Sequence, residues 1–343
     1  MRYYASPGAA LRVLSDQLPS WARGQDSLAT VHAYLDAVPV DFSVFGFGLE
    51  YHLDSDRIDA GVALPLSRGR SELIEPNLLE LRERLAGPDA SLWPQRALDP
   101  ARRVAALGPR DARMVQAFCL CMDGESLRRR RGPDLVYLSL RNLHRLRDPS
   151  QLIWSPAIAR LVAALFGPRP APGVELLERL ADAARAWPSL RLAHLGVARV
   201  EAGGSLKPYL HGSIPELRAL LTSPALPRAP GLDAPLELLA DLARSGPAPA
   251  CTVLLGSGPV LDRVDIEVSP GPGFGRALAF AVREHGVDDG RATELERLAG
   301  AGVQRVEEPG WAPVATRLSH LKLSLRAGDR PQWKAYFVAR QAG

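Results

Sequence analysis

Lysine is nearly missing from this chain: of 42 basic side chains in 343 residues, only Lys207, Lys322 and Lys334 are lysines. The others are arginines. Alanine, proline and glycine are plentiful too, a pattern that looks like codon bias, so a scattered arginine carries little information. Cysteine is equally scarce. Cys119, Cys121 and Cys251 make neither a disulfide framework nor a CxxC metal pair, which fits a reducing cytoplasm. Aromatic residues are 6% and the net charge is +4, with basic residues clustered only at Arg128–Arg131. That argues against nucleic acid, which needs a basic stripe interleaved with stacking rings. No apolar run approaches the ~20 residues of a membrane span, and "MRYYASPGAALRVLSDQLPSW" lacks the apolar core of an export signal. The expectation is a cytoplasmic protein with no membrane span.

What is present is a repeat. Hydrophobic residues at 46% and charged residues at 23% are ordinary for a globular chain with a large core. Alternating stretches come in five pairs: "VFGFGLEYHL" with "RIDAGVALPL", "MVQAFCLCM" with "DLVYLSL", "LAHLGVARV" with "SLKPYLHG", "CTVLLGS" with "RVDIEVS", and "SHLKLSLRA" with "QWKAYFVAR". Between the pairs, apolar residues at helical spacing predict helices near 71–86, 150–166, 174–187, 234–245 and 274–284. The fold class is therefore α/β (α+β): five helix–strand–strand–helix units in one domain over residues 1–343. Ten antiparallel strands remove their exposed edges by closing into a barrel, with the helices as an outer ring.

Alternation then sorts the side chains. In the fifth pair Leu321, Leu323, Leu325, Trp333, Ala335 and Phe337 face the helices, and His320, Lys322, Ser324, Lys334 and Tyr336 face the lumen. By the same rule Glu50, His52, Arg57, Asp59, Lys207, Tyr209, His211, Arg263, Asp265 and Glu267 point inward, with Tyr137, Ser139 and Arg141 from the second pair. All three lysines land inside. The third and fifth pairs can also be overlaid: "AHLGVARVEAGGSLKPYL" on "SHLKLSLRAGDRPQWKAYF" matches His194 with His320, and Lys207 with Lys334. A solvated hairpin face is the alternative position for any one lysine.

Ammonium and guanidinium groups bind the oxygens of a diphosphate, and phenols donate to them. Loss of that diphosphate from an allylic carbon leaves a cation that tyrosine rings shield, and a carboxylate can take the proton the acceptor gives up.

Five such units, with KxY in the second strand of two hairpins, resemble the ABBA-barrel aromatic prenyltransferases. That group includes the dimethylallyltryptophan synthase-like indole enzymes and the cyanobactin-type peptide prenyltransferases. The modest length and the terminal "SHLKLSLRAGDRPQWKAYF" look closer to the peptide-modifying branch. The resemblance implies transfer of an allylic C5 or C10 group from dimethylallyl or geranyl diphosphate to a peptide side chain or a small aromatic. It also implies that Lys207, Tyr209, Lys334 and Tyr336 lie on the diphosphate side and that Glu50 is the base. Arg57, His194, Arg263 and Lys322 complete the inward substrate-binding set.

The sequence departs from the family pattern at three places. Hairpin one reads "DAGVALPL" where the family has a basic residue, hairpin two lacks a lysine, and hairpin four presents Asp265 and Glu267. Those two acids either hold Mg²⁺ bridging to the diphosphate or pair with Arg263. A barrel of this shape that binds a ligand or partner without turnover is the alternative function. "SPGPGFGRAL" reads as a strand-to-helix turn, and the arginine run 128–131 as a solvated connection at a barrel mouth.

Overall fold

The computed structural model describes residues 2–23, 26–41, 46–66, 73–85, 93–129, 132–140, 153–167, 173–183, 186–187, 189–198, 205–224, 232–244, 251–257, 261–326 and 329–341. Its strands are β1 (Phe47–His52), β2 (Ile58–Pro65), β3 (Val115–Met122), β4 (Leu135–Leu140), β5 (Arg191–Ala198), β6 (Ser205–Gly212), β7 (Cys251–Ser257), β8 (Leu261–Val268), β9 (Gln304–Val306), β10 (Val314–Arg326) and β11 (Gln332–Gln341). They follow the order β11-β1-β2-β3-β4-β5-β6-β7-β8-β10-β9, and β10 also pairs with β11. Ten strands therefore close into an antiparallel ring, and β9 is an added strip on the early part of β10.

Helices at Ile74–Arg84, Pro156–Phe166, Val174–Ala183, Asp233–Ala243 and Phe274–His285 fall where the periodicity puts them. Local chemistry sets their ends. The Ser155 hydroxyl accepts the Ile158 N–H with Pro156 in the first turn, and Gly286 ends Phe274–His285 in the left-handed conformation open to glycine. The barrel face turned to the helices is apolar. Leu206, Leu210, Ile266, Val268, Leu321, Leu323, Trp333 and Ala335 are all buried there.

The strand register bears out the internal overlay. Hairpins three and five each carry a shift just before the histidine, and each then sets that histidine opposite the tyrosine of KxY: His194 opposite Tyr209, His320 opposite Tyr336. Hairpin two has the same irregularity before Ala117, opposite Ser139. A bulge adds one residue and re-aims the side chains that follow, so this shared feature fixes which residues enter the lumen.

Three features differ from the sequence reading. The connection of hairpin two contains a helix, Gly124–Arg129, on which Arg128 and Arg129 pair with Glu125 at 2.6 and 2.5 Å. Arg130, Arg131 and Arg141 lie outside the described residues. Strand β9 was not anticipated, because three residues are too few for a periodicity signal, and β10 begins at Val314, well before His320.

Trp333 is 1% exposed on β11, with Phe280 6.3 Å away on a covering helix. Trp333→Ala is expected to cost about 3–5 kcal/mol in urea unfolding, whereas Val303→Ala, at a site 55% exposed, should stay within about 0.5 kcal/mol.

Candidate active site

The ring encloses a cavity of about 1090 Å³, and ten of the eleven predicted site residues line it. The exception is Asp265, which is fully buried in the wall. The cavity reaches from Arg57 and Asp123 at the hairpin end to Ala315 and Arg340 at the end where the helices connect.

One wall, from β8 through β10, β11 and β1 to β2, is ionic. Lys322 and Lys334 stand opposite each other across β10 and β11, and both are buried. Two ammonium groups so placed need a shared anion, and Glu50 supplies it. Its Oε1 is 3.0 Å from the Lys322 Nζ, and its Oε2 is 3.5 Å from the Lys334 Nζ. Burial pushes the Glu50 carboxyl up, but the two lysines outweigh burial and hold it well below the ordinary carboxylate range. Burial pulls the Lys322 ammonium down, and Glu50, Asp265 and Glu267 lift it well above its usual value.

Asp59 explains the missing basic residue of hairpin one. It is itself the hub, accepting from His52 Nε2, Arg57 Nε and the Gly124 N–H, each at 2.9 Å, with the Lys334 Nζ at 3.4 Å. Burial raises its pKa, but the His52 bond and the Lys334 charge prevail and set it at about 2. Arg57, half-exposed at the hairpin mouth, is therefore tied to Asp59 and, at 3.5 Å, to Asp123.

On the other side of the lysines, both oxygens of Asp265 accept from Arg263 at 2.7 Å. Glu267 lies 3.6 Å from His320 and 3.8 Å from Lys322. This arrangement does not suit Mg²⁺. The Asp265 oxygens are committed to a guanidinium fork, and among the described residues no three His, Cys, Asp or Glu side chains converge to hold a metal.

The opposite wall is made of rings. Tyr137, His194 and Tyr209 pack within 5.4–6.1 Å of one another, beside Lys207 in the cavity lining. Burial lowers the His194 pKa and keeps that imidazole neutral. His320 stacks on Tyr336 at 4.8 Å, and burial together with Lys322 drops it to about 3. Tyr336 fits because Gly48, on the neighbouring strand and opposite Val338, has no side chain: a Cβ there would lie 2.1 Å from the Tyr336 hydroxyl.

Parity predicted the inward residues but not their pairing. It also passed over Arg317 and Arg340, which line the cavity at the helix-side mouth on the early part of β10 and the late part of β11. The signal for Arg317 was the continued alternation of "VATRL" before His320, and Arg340 keeps the parity of Lys334 and Tyr336.

No family model matches the sequence, and no curated protein sequence matches it. Solved structures do resemble it. The chain superposes on 5-dimethylallyl tryptophan synthase from Streptomyces coelicolor in complex with DMASPP and Trp, with a TM-score of 0.52 and 17% identity, over 97% of this chain and 94% of that one. AnaPT from Neosartorya fischeri gives 0.53 and 15% over 96% and 91%. PriB with L-tryptophan and dimethylallyl thiolodiphosphate gives 0.51 and 14% over 96% and 95%. The fold is the ABBA barrel of these prenyltransferases. No helix among the described residues is long and apolar enough to cross a membrane.

Asp59 and Glu50 titrate lower in the folded chain than unfolded. The stability they contribute is complete above the ordinary carboxylate pKa of about 4 and is lost as pH falls through their lowered values, which for Asp59 is about 2. Asp59→Asn should flatten the fall in urea midpoint between about pH 5 and 2.5. An unchanged slope would show that Asp59 does not hold its proton affinity down.

Proposed function

We propose that this barrel transfers an allylic prenyl group from a prenyl diphosphate to an electron-rich side chain of a peptide or to a small aromatic. The observation that carries the reading is Glu50, an ionised carboxylate in the cavity wall, held between two buried lysines. The fold supports it, since two of the similar structures hold tryptophan with DMASPP or dimethylallyl thiolodiphosphate.

In this scheme the C1–O bond of the donor breaks and its electron pair leaves on the diphosphate, which Lys207, Lys322, Lys334, Tyr209 and Tyr336 receive. The allylic cation lies among the rings of Tyr137, Tyr209 and Tyr336. The acceptor's π or lone-pair electrons form the new bond to the cation, and the displaced proton passes to Glu50. A low pKa does not disqualify Glu50 when a ring carbon attacks, because the arenium ion then formed is a far stronger acid than any carboxylic acid. What matters is that Glu50 stays ionised and lines the cavity.

A second reading, a barrel that binds without turnover, is favoured by one specific observation. Lys322, Lys334, Arg57 and Arg263 all already face carboxylates, so a diphosphate must displace Glu50, Asp59, Asp265 or Glu267 as their partner.

Incubation with dimethylallyl or geranyl diphosphate and a panel of Trp, Tyr, His and Arg peptides, with free tryptophan, should give a mass gain of one prenyl group. Glu50→Gln is expected to lower kcat about 10²–10⁴-fold while the donor KM falls, because Lys322 and Lys334 lose the carboxylate that the diphosphate must displace. Lys334→Ala should instead weaken donor binding. No mass gain with either donor, and no heat on titrating inorganic diphosphate, would leave the binding barrel as the reading.

A further inference from the structure

The cations of the wall from β8 to β2 are matched by carboxylates, but three arginines at the helix-side mouth are not. In the antiparallel register Ala315 of β10 is opposite Arg305 of β9 on one side and Arg340 of β11 on the other. Residues opposite each other in a ladder share a face, so both arginines project on the cavity side, joined by Arg317 two residues along β10. Ala315, Arg317 and Arg340 line the cavity there. All three arginines are exposed, and none makes an ion pair with a described residue. The acidic residues nearest in sequence, Glu307 and Glu308, follow the end of β9, and Glu308 accepts the Tyr4 hydroxyl at 2.8 Å.

The same place holds the exception to barrel closure. Strand β9 pairs with β10 alone, so its outer edge meets no described strand. An unpaired edge offers backbone N–H and C=O groups to an added strand. Val303, 55% exposed, stands beside it and also lines the cavity. With strands about 4.8 Å apart, Arg305 and Arg340 are roughly 10 Å from each other at Cα, and with Arg317 two residues along β10 they spread positive charge over a length that suits several carboxylates of an extended chain.

We infer that the β9 edge with Arg305, Arg317 and Arg340 is a docking site for an extended acidic peptide segment, held outside the barrel so that a neighbouring side chain enters the lumen. Arginine forks bind the peptide's carboxylates and the β9 backbone its main chain. The inference rests on the peptide-acceptor reading above and names the class of peptide.

The test is fluorescence anisotropy without any donor, using the full chain and a labelled decapeptide with four glutamates around one tryptophan. A counterpart with four lysines and a copy N-methylated at alternate residues serve as comparisons. The acidic peptide should bind at least about tenfold more tightly than the lysine one and weaken markedly with added salt. Arg305→Gln/Arg340→Gln should reduce its affinity about tenfold or more, with an unchanged circular dichroism spectrum. Equal binding of the two charge types, or of the acidic peptide to wild type and variant, overturns the inference; tight binding of the N-methylated copy overturns strand addition at β9. If inorganic diphosphate loses its binding in the variant while the peptide does not, the arginines serve the donor and the inference falls. Arginine-dependent peptide binding without any prenyl transfer would sink the transfer reading alone. Transfer to free tryptophan without acidic-peptide binding would sink the docking site alone.

Discussion

Closure of the sheet is the constraint from which the rest follows. Strand β11 pairs with β10 on one side and with β1 on the other, which joins the last strand of the chain to the first. That join removes the cavity wall from bulk water, and two charges about 3 Å apart interact with roughly 5 kcal/mol at an effective dielectric near 20. An ammonium buried without a partner costs several kcal/mol, so Lys322 and Lys334 can face each other only if an anion stands between them. Glu50 on β1 is that anion, and it is in reach only because the ring is closed.

The lumen is thereby divided by chemistry. Four carboxylates and four cations balance along the wall from β8 to β2: Glu50, Asp59, Asp265 and Glu267 against Lys322, Lys334, Arg57 and Arg263. The facing wall offers the rings of Tyr137, His194 and Tyr209. A donor with an anionic head and a tail that becomes cationic is matched by this split, provided the head can take over contacts that carboxylates now make. Binding is then an exchange of anions rather than the filling of a bare cationic pocket. Its strength depends on how far Glu50 and Glu267 can give way.

The repeat, the closed barrel and the inward side chains were legible because period-two alternation survives in every hairpin, and because the His and KxY positions of hairpins three and five coincide down to the same bulge. Pairing was not legible. Asp59 reads as a mere absence of a basic residue, and only the fold brings His52, Arg57, Gly124 and Lys334 around it. Nor does any local pattern mark β9, whose three residues become a strand through contact with β10 and set Arg305 beside Arg340.

The scarcity of lysine acquires a meaning from this geometry. Arg263 shows what guanidinium does here: its planar fork locks onto both oxygens of Asp265 and is spent on one partner. Lys322 instead stands within 3.0–3.8 Å of Glu50, Asp265 and Glu267, and Lys334 between Glu50 and Asp59. An ammonium is a compact charge with three rotatable donors, so it can move from one oxygen to another without losing a bidentate geometry. In a wall whose charges are already balanced, a group that can change partners is what lets an incoming phosphate oxygen replace a carboxylate. A chain this rich in arginine places lysine at both of those positions.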